Sequence, residues 1–153
     1  MDIVLQPIGF VRSGRDAPID DAWDSIPASI ALDPARFTPE ALAGIGGFSH
    51  VEVIFQFDRV AESGIQTGGR RPRGRADWPL VGIFAQRAKN RPNRLGLCTC
   101  RLVRVEGLSL HVQGLDAIDG TPVLDIKPVM RGFLPRGEIR EPDWAQEIMR
   151  EYW

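Results

Sequence analysis

The feature that most constrains the fold of this chain is a succession of short apolar segments separated by glycine- and proline-rich turns. Residues 50–57 show it most clearly, because valine and phenylalanine at every second position alternate with mostly polar side chains. A period of two is typical of a strand with one buried face. Further segments predict strands at residues 4–13, 81–85, 95–105, 108–114 and 122–126. Several short strands with almost no helical pattern predict an all-β fold, a small and mainly antiparallel β-barrel.

Helical signals are confined to two regions. Residues 16–43 contain four prolines that prevent a long helix, but Asp33-Pro34 and Thr38-Pro39-Glu40 carry the cap and first-turn residues of one-turn helices. The large apolar side chains of the same region need burial, which predicts a structured loop rather than a linker. Near the C-terminus, Glu141-Pro142-Asp143 opens an amphipathic pattern. We therefore expect short helices in the N-terminal loop region and at the C-terminus.

Length and composition predict one domain, residues 1–153, with a single core. No apolar run reaches the length of a membrane-spanning helix, and the N-terminus lacks the basic region and apolar core of a secretory signal. A cytoplasmic protein is therefore expected. Cys98 and Cys100 are one residue apart, so they share one face of a predicted strand. Without nearby further ligands they are expected to be buried, reduced thiols rather than a metal site.

The charge of the chain is unevenly distributed. Residues 70–94 carry eight cations against one aspartate, a net charge of +7, although the whole chain has a net charge of −1. Such a cluster attracts nucleic-acid phosphates through counterion release, whereas the alternative is a solvated loop kept for solubility. The candidate nucleic-acid-binding residues are Arg70, Arg71, Arg73, Arg75, Lys89, Arg91 and Arg94.

Four motifs resemble one protein family. They are Ile8-Gly9-Phe10-Val11-Arg12-Ser13, Gly47-Phe48-Ser49-His50, the run from Phe84 to Leu97 (FAQRAKNRPNRLGL) and the run from Asp119 to Pro128 (DGTPVLDIKP). On these motifs the chain resembles the TrmO-like (YaeB/TsaA-like) tRNA methyltransferases, which use S-adenosylmethionine on a modified adenosine beside the anticodon. The resemblance implies a β-barrel domain that binds S-adenosylmethionine, acts on tRNA and forms a homodimer.

The resemblance also implies which residues hold the cofactor. We expect its adenosine end to lie against Phe57, Asp58, Arg87, Leu97, Leu115, Asp116, Ala117 and Ile118. Much of the contact in the turn at residues 115–118 is expected from backbone amides and carbonyls. For Leu97 and Leu115 alone, core packing is the alternative. Arg87 and Arg91 have the geometry to hold a phosphate or a carboxylate through paired hydrogen bonds.

Three aspartates follow in close succession, Asp116, Asp119 and Asp125. Their spacing is not that of a calcium loop, and strand-and-turn geometry does not let all three converge on one point. Asp119 with Gly120 is expected to shape a turn, whereas Asp116 is the better candidate for contact with a ribose or with the methyl acceptor. The sequence identifies no general base, and none is required, because a methylated amine can lose its proton to water.

The chain departs from the family pattern at four places. A proline-arginine-glutamine segment is absent from residues 14–45, Asp58 stands where a histidine is usual, Arg94 stands where a proline is usual, and Cys98 stands where a small hydroxyl residue is usual. Asp58 would repel the carboxyl group of a threonylcarbamoyl-modified adenosine unless Arg59 or an arginine of residues 70–94 compensates. Beside methylation of the exocyclic nitrogen of that adenosine, two alternatives remain: methyl transfer to another RNA or a small molecule, and cofactor binding without catalysis.

Overall fold

The structure is a computed structural model that describes all residues from Met1 to Trp153. Its eight strands are β1 (Gly9–Ser13), β2 (Pro27–Leu32), β3 (His50–Gln56), β4 (Gly69–Arg70), β5 (Val81–Gly82), β6 (Leu95–Glu106), β7 (Ser109–Gln113) and β8 (Pro122–Pro128). The one α-helix is α1 (Asp143–Ile148). Short 3-10 turns lie at Pro39–Leu42, Ile45–Gly47, Glu62–Gly64, Pro72–Gly74, Ile83–Ala85 and Arg131–Phe133.

Six of the strands close into a barrel in the order β1-β2-β7-β6-β3-β8, and every neighbouring pair is antiparallel. The ring closes where Gly9 of β1 pairs with Val123 of β8. Strands β4 and β5 form a separate hairpin outside the barrel. The all-β antiparallel barrel predicted from the strand patterns is therefore confirmed. No helix is long and apolar enough to cross a lipid bilayer.

The period-two pattern determines which side chains fill the barrel. In β3, Val51, Val53 and Phe55 are at most 1% exposed, whereas the residues between them face partly outward. In β6, Cys98 and Cys100 point inward and are free, buried thiols, as predicted. These side chains belong to one cluster of 16 buried residues that runs through the barrel. The interior is therefore a packed core and not a channel.

Four predictions about single elements need correction. β1 begins at Gly9 and not at residue 4, and residues 27–32, predicted as loop, form β2. Only Val81–Gly82 of the predicted strand 81–85 is extended, because Ile83–Ala85 is a 3-10 turn. The Asp33-Pro34 segment forms a turn and not a helix. The one-turn helix at Pro39–Leu42 and the C-terminal helix are confirmed.

The strand directions bring three connections to one end of the barrel. They are residues 14–26 between β1 and β2, residues 57–94 between β3 and β6, and residues 114–121 between β7 and β8. The C-terminal residues reach the same end, because the amides of Ala22 and Trp23 donate to the carbonyls of Glu151 and Tyr152 at 2.9 and 3.0 Å. This end of the barrel therefore gathers most of the residues singled out in the sequence.

Candidate functional site

The connection at residues 114–121 closes this end of the barrel. Leu115 and Ala117 are 0% and 3% exposed and belong to the core. Asp119 shapes the turn as predicted, since its carboxylate accepts the amide of Ser13 at 3.1 Å and Gly120 takes a φ of 82°. The side chains of Leu115 and Ala117 are thus committed to packing. A ligand at this turn would therefore contact the backbone and the side chains of Asp116 and Ile118.

Asp116 lies in this turn and has the one buried side-chain polar atom without a hydrogen-bond partner. Its Oδ2 accepts the hydroxyl of Tyr152 at 2.5 Å, while its Oδ1 is unpaired. Burial raises the pKa of Asp116, and the hydrogen bond from Tyr152, with smaller effects of the nearby Cys98 thiol and the Arg87 guanidinium, opposes this shift. Leaving a buried acceptor unpaired costs free energy. A hydrogen-bond donor on a ligand would therefore remove this cost at Oδ1 of Asp116.

Arg87 connects Leu97 with the surroundings of Asp116. The Nη2 of Arg87 donates to the carbonyl of Leu97 at 2.5 Å, and its charge acts on Asp116. Leu97 pairs with Ile54 of β3 and its side chain is 44% exposed, so it lies on the outer surface of the barrel. Core packing therefore does not explain Leu97, whereas it does explain Leu115. Arg87 thus links two other predicted cofactor residues, Leu97 through a hydrogen bond and Asp116 through its charge.

Phe57 and Asp58 follow β3 at the same end. Phe57 packs edge-on against Phe55 with ring centroids 5.2 Å apart, and its amide donates to the carbonyl of Arg94 at 2.8 Å. Asp58 is exposed and forms no ion pair. Arg59 points elsewhere, because its guanidinium donates to the carbonyls of Asp16 and Asp119 at 3.1 and 3.2 Å. Arg59 therefore does not neutralise Asp58.

The basic segment, residues 70–94, folds around a small core of its own. Pro72, Trp78, Ile83 and Gln86 are buried in it. The side-chain amide of Gln86 donates to the carbonyls of Arg70 and Val81 at 2.9 and 3.1 Å, which fixes the β4–β5 hairpin. Trp78 also donates from Nε1 to Glu147 of α1 at 2.7 Å. The cations of the basic segment therefore lie on an ordered surface and not on a loose loop.

Two arginines of the basic segment are paired with carboxylates. Arg73 forms two hydrogen bonds with Asp21, at 2.6 and 2.9 Å, and the pairing raises the pKa of Arg73. Arg75 pairs with Asp77, and its guanidinium lies 4.2 Å from the centre of the Trp78 ring. Asp21 and Asp77 thus offset part of the positive charge predicted for this surface.

The other arginines of the basic segment donate to neutral groups. Arg70 reaches the side chains of Gln86 and Asn90, Arg71 the carbonyls of Ala76 and Trp78, Arg91 the carbonyl of Gln86 and Arg94 that of Val60. Lys89 is exposed and has no partner. Each guanidinium carries five N–H donors, so these arginines keep donors and charge available to a phosphate.

Sequence reasoning did not single out Tyr152 as a site residue. The tyrosine is 36 residues from Asp116 and lies in no motif. The only signal in the sequence was a cluster of aromatic residues at the C-terminus, which is equally compatible with packing on the barrel or with a dimer contact. The contact depends on how the C-terminal tail, residues 149–153, returns to the barrel end, which no local pattern encodes.

Comparison with known proteins gives a family match over most of this fold. Residues 11–133 match the model of the tRNA-methyltransferase O N-terminal domain. A probable S-adenosyl-L-methionine-binding protein of Methanothermobacter thermautotrophicus is 36% identical over 132 residues, which are 84% of this chain and 90% of that protein. The human tRNA (adenine(37)-N6)-methyltransferase is 35% identical over 148 residues, which are 92% of this chain but 33% of the human protein.

The same fold occurs in a solved structure. The crystal structure of TrmO from Pseudomonas aeruginosa superimposes with a TM-score of 0.73 and 30% sequence identity, and the match covers 92% of this chain and 62% of that chain. The chain thus spans most of the archaeal relative but less than two thirds of the crystallised protein and about a third of the human one.

Proposed function

This chain belongs to the family of tRNA-methyltransferase O N-terminal domains, and on that premise we propose that it transfers a methyl group from S-adenosylmethionine to the exocyclic nitrogen of the adenosine beside the anticodon of tRNA. The observation that carries the proposal is that Arg87, a residue of the basic segment, donates a hydrogen bond to Leu97 and acts through its charge on Asp116 at one barrel end. A nucleoside cofactor and a phosphate chain would then bind side by side. The cytoplasm is the compartment in which we expect this reaction.

The residues of this barrel end fit the chemistry of the cofactor. Leu97 offers exposed apolar surface, Asp116 an unpaired acceptor, and Arg87 a guanidinium for a carboxylate. The cofactor supplies, when bound, a methyl group activated by a sulfonium. The protein's part is to hold donor and acceptor in line and to exclude water, because the displacement needs a narrow geometry. Phe57 and Asp58, at the end of β3, would border this site, and the backbone of Leu115, Ala117 and Ile118 would supply further hydrogen bonds.

The calorimetric experiment for the cofactor site compares two aspartates. Asp116→Ala should weaken binding of S-adenosylmethionine by roughly tenfold or more, since a hydrogen bond to a charged group is worth about 1.5–3 kcal/mol. Asp143→Ala, at the start of the exposed α1, is the matched control and should bind like the wild type. Absence of heat with the cofactor and with its demethylated product in the wild-type protein would refute the proposed function.

The RNA contact is assigned to the basic segment. Loss of one arginine–phosphate contact reduces the steepness of the plot of log affinity against log salt concentration by about 0.7–0.9. Replacing Arg70, Arg71, Arg73 and Arg75 by glutamine should therefore flatten the slope for tRNA and leave cofactor binding intact. The control removes the same charge from Arg131, Arg136, Arg140 and Arg150, which are exposed and lie outside the basic segment. Equal slopes for the two variants would mean that only the total charge matters.

The acceptor is taken to be an adenosine that already carries a threonylcarbamoyl group. Asp58 is not neutralised within the chain, so an arginine of the basic segment has to balance the carboxylate of that group. Asp58→His would remove the repulsion. If only Asp58→His labelled the modified tRNA, the wild-type chain would use another RNA or a small molecule, and equal labelling of modified and unmodified tRNA by the wild type would exclude recognition of the modified base.

Two further proposals concern the assembly and the activity. A homodimer is supported by exposed apolar side chains of β6 outside the cofactor site, Leu95 and Val103, which are 37% and 54% exposed. Sedimentation velocity measures it, and a monomer at micromolar concentration would contradict it. A binding protein without methyl transfer is the second candidate, favoured by the name of the archaeal relative, which covers nearly the same length. Saturable cofactor binding without label transfer to any RNA would identify that case.

A further inference from the structure

The C-terminal tail is held against the barrel end by its backbone. The amides of Ala22 and Trp23 donate to the carbonyls of Glu151 and Tyr152, and Trp23 itself is 4% exposed. Tyr152 packs edge-on against Trp153 with ring centroids 5.0 Å apart. Both ends of the Tyr152 residue are thus fixed, and its hydroxyl is presented to Asp116 by the fold and not by a flexible chain end.

The Asp116 carboxylate interacts with groups from several elements. Tyr152 donates from the tail, the thiols of Cys98 and Cys100 face it from β6, and the Arg87 guanidinium lies beyond it. The hydrogen bond from Tyr152 goes to Oδ2 and leaves Oδ1 without a partner. An unpaired buried acceptor costs free energy, so a donor that entered the site and reached Oδ1 would stabilise this arrangement.

We propose that Tyr152 is a positioning residue of the candidate methyltransferase site. By holding Oδ2 of Asp116, Tyr152 aims Oδ1 to accept one hydrogen bond from a hydroxyl or amino group of a bound nucleoside. The inference rests on the proposed function, because it takes this barrel end as the nucleoside site. Tyr152 lies beyond residues 11–133 that match the family model, so the tail adds to the domain a contact that the match does not cover.

The donor has one chemistry and two possible sources. A ribose hydroxyl or an amino group reaches Oδ1 either from the cofactor or from the adenosine that accepts the methyl group. Measuring cofactor binding in the absence of RNA distinguishes the two sources. A donor on the cofactor acts on the dissociation constant measured by calorimetry, whereas a donor on the acceptor acts on the KM for tRNA at saturating cofactor.

The test compares Tyr152→Phe with Trp153→Phe in the full chain. Tyr152→Phe keeps the ring and removes only the hydroxyl, whereas Trp153→Phe changes tail packing and keeps the hydroxyl. S-adenosylmethionine binding is measured by calorimetry and methylation of tRNA by label transfer, each between pH 5 and pH 9. For Tyr152→Phe we expect affinity for the cofactor or for tRNA to fall about tenfold. Trp153→Phe should match the wild type in both assays.

The pH profile provides a readout that lost packing would not change. The Tyr152 hydroxyl lowers the pKa of Asp116, so its removal raises that pKa further and favours the neutral acid. Binding that needs the ionised carboxylate should therefore fail at a higher pH in Tyr152→Phe than in the wild type. Asp116→Asn keeps the shape of the side chain and should lack this acid limb. Adding Tyr152→Phe to Asp116→Asn should then cause no further loss of binding.

The outcomes separate this inference from the proposed function. Wild-type affinity and an unmoved acid limb in Tyr152→Phe would overturn the positioning role, as would an equal effect of Tyr152→Phe in the Asp116→Asn background. If Tyr152→Phe does not fold, the acid limb of the wild type and its loss in Asp116→Asn decide the question. A wild-type protein that neither binds the cofactor nor labels tRNA would instead refute the proposed function itself.

Discussion

Gly96 offers the sharpest test of how the barrel core supports the site. A methyl group at this position would lie 2.4 and 2.5 Å from Cε2 and Cζ of Phe55, well inside van der Waals contact. The Phe55 ring is 1% exposed and packs against Phe57, so it cannot turn away without displacing a residue of the candidate site. Overpacking of this kind costs about 1–3 kcal/mol. For a domain of this size, Gly96→Ala should lower Tm by about 2–12 °C.

The assay is chemical and thermal unfolding, followed by calorimetry with S-adenosylmethionine. Gly46→Ala is the matched control, because Gly46 has no other atom within 4 Å of its added methyl group and should lose little stability. In a Phe55→Leu background the smaller side chain leaves room, so Gly96→Ala should cost less there than in the wild type. Wild-type stability of Gly96→Ala, or the same loss in both backgrounds, would refute the steric argument.

Two other predictions concern the basic segment and the buried thiols. Arg94 has a φ of 52°, which a proline ring cannot adopt. Arg94→Pro should therefore lower the free energy of unfolding by about 3 kcal/mol or more, whereas Arg94→Gly should lower it less. Urea unfolding measures both variants, and a stable Arg94→Pro would contradict the backbone geometry. Burial, with the charge of Asp116, raises the pKa of the Cys100 thiol to about 12, so alkylation at pH 8 should be at least about tenfold slower in folded than in unfolded protein. Equal alkylation rates would show that this end of the barrel is open.

Local patterns predicted the barrel because each strand carries its own period of two. Residues 50–56 read as a half-buried strand in isolation, and their burial follows the same alternation. β2 was missed although Ala28, Ile30 and Leu32 alternate, because the flanking prolines suggested loop. Gly9 was assigned to a longer strand, yet its role is tertiary: a Cβ there would lie 2.2 Å from the carbonyl oxygen of Ala31, which only the pairing of β1 with β2 reveals.

Only part of the candidate site could be predicted from the sequence. The family resemblance supplied Arg87, Leu97 and Asp116, and the strand order brings the connections that carry Arg87 and Asp116 to the same end of the barrel. The motifs did not indicate that Arg73 pairs with Asp21, since those residues are 52 positions apart and lie in two separate loops. Core packing was the alternative considered for Leu115, whereas the burial of Ala117 was not indicated. Contacts between loops depend on how long connections fold back, and no local propensity encodes that geometry.

The most direct test of the central claim is nucleoside analysis after methyl transfer. Purified protein is incubated with labelled S-adenosylmethionine and tRNA from cells with or without the threonylcarbamoyl modification, and the tRNA is digested to nucleosides. We predict label on the exocyclic nitrogen of the modified adenosine beside the anticodon, and little label in tRNA that lacks the modification. Saturable cofactor binding with no labelled nucleoside in either tRNA would contradict the claim that this chain is a tRNA methyltransferase.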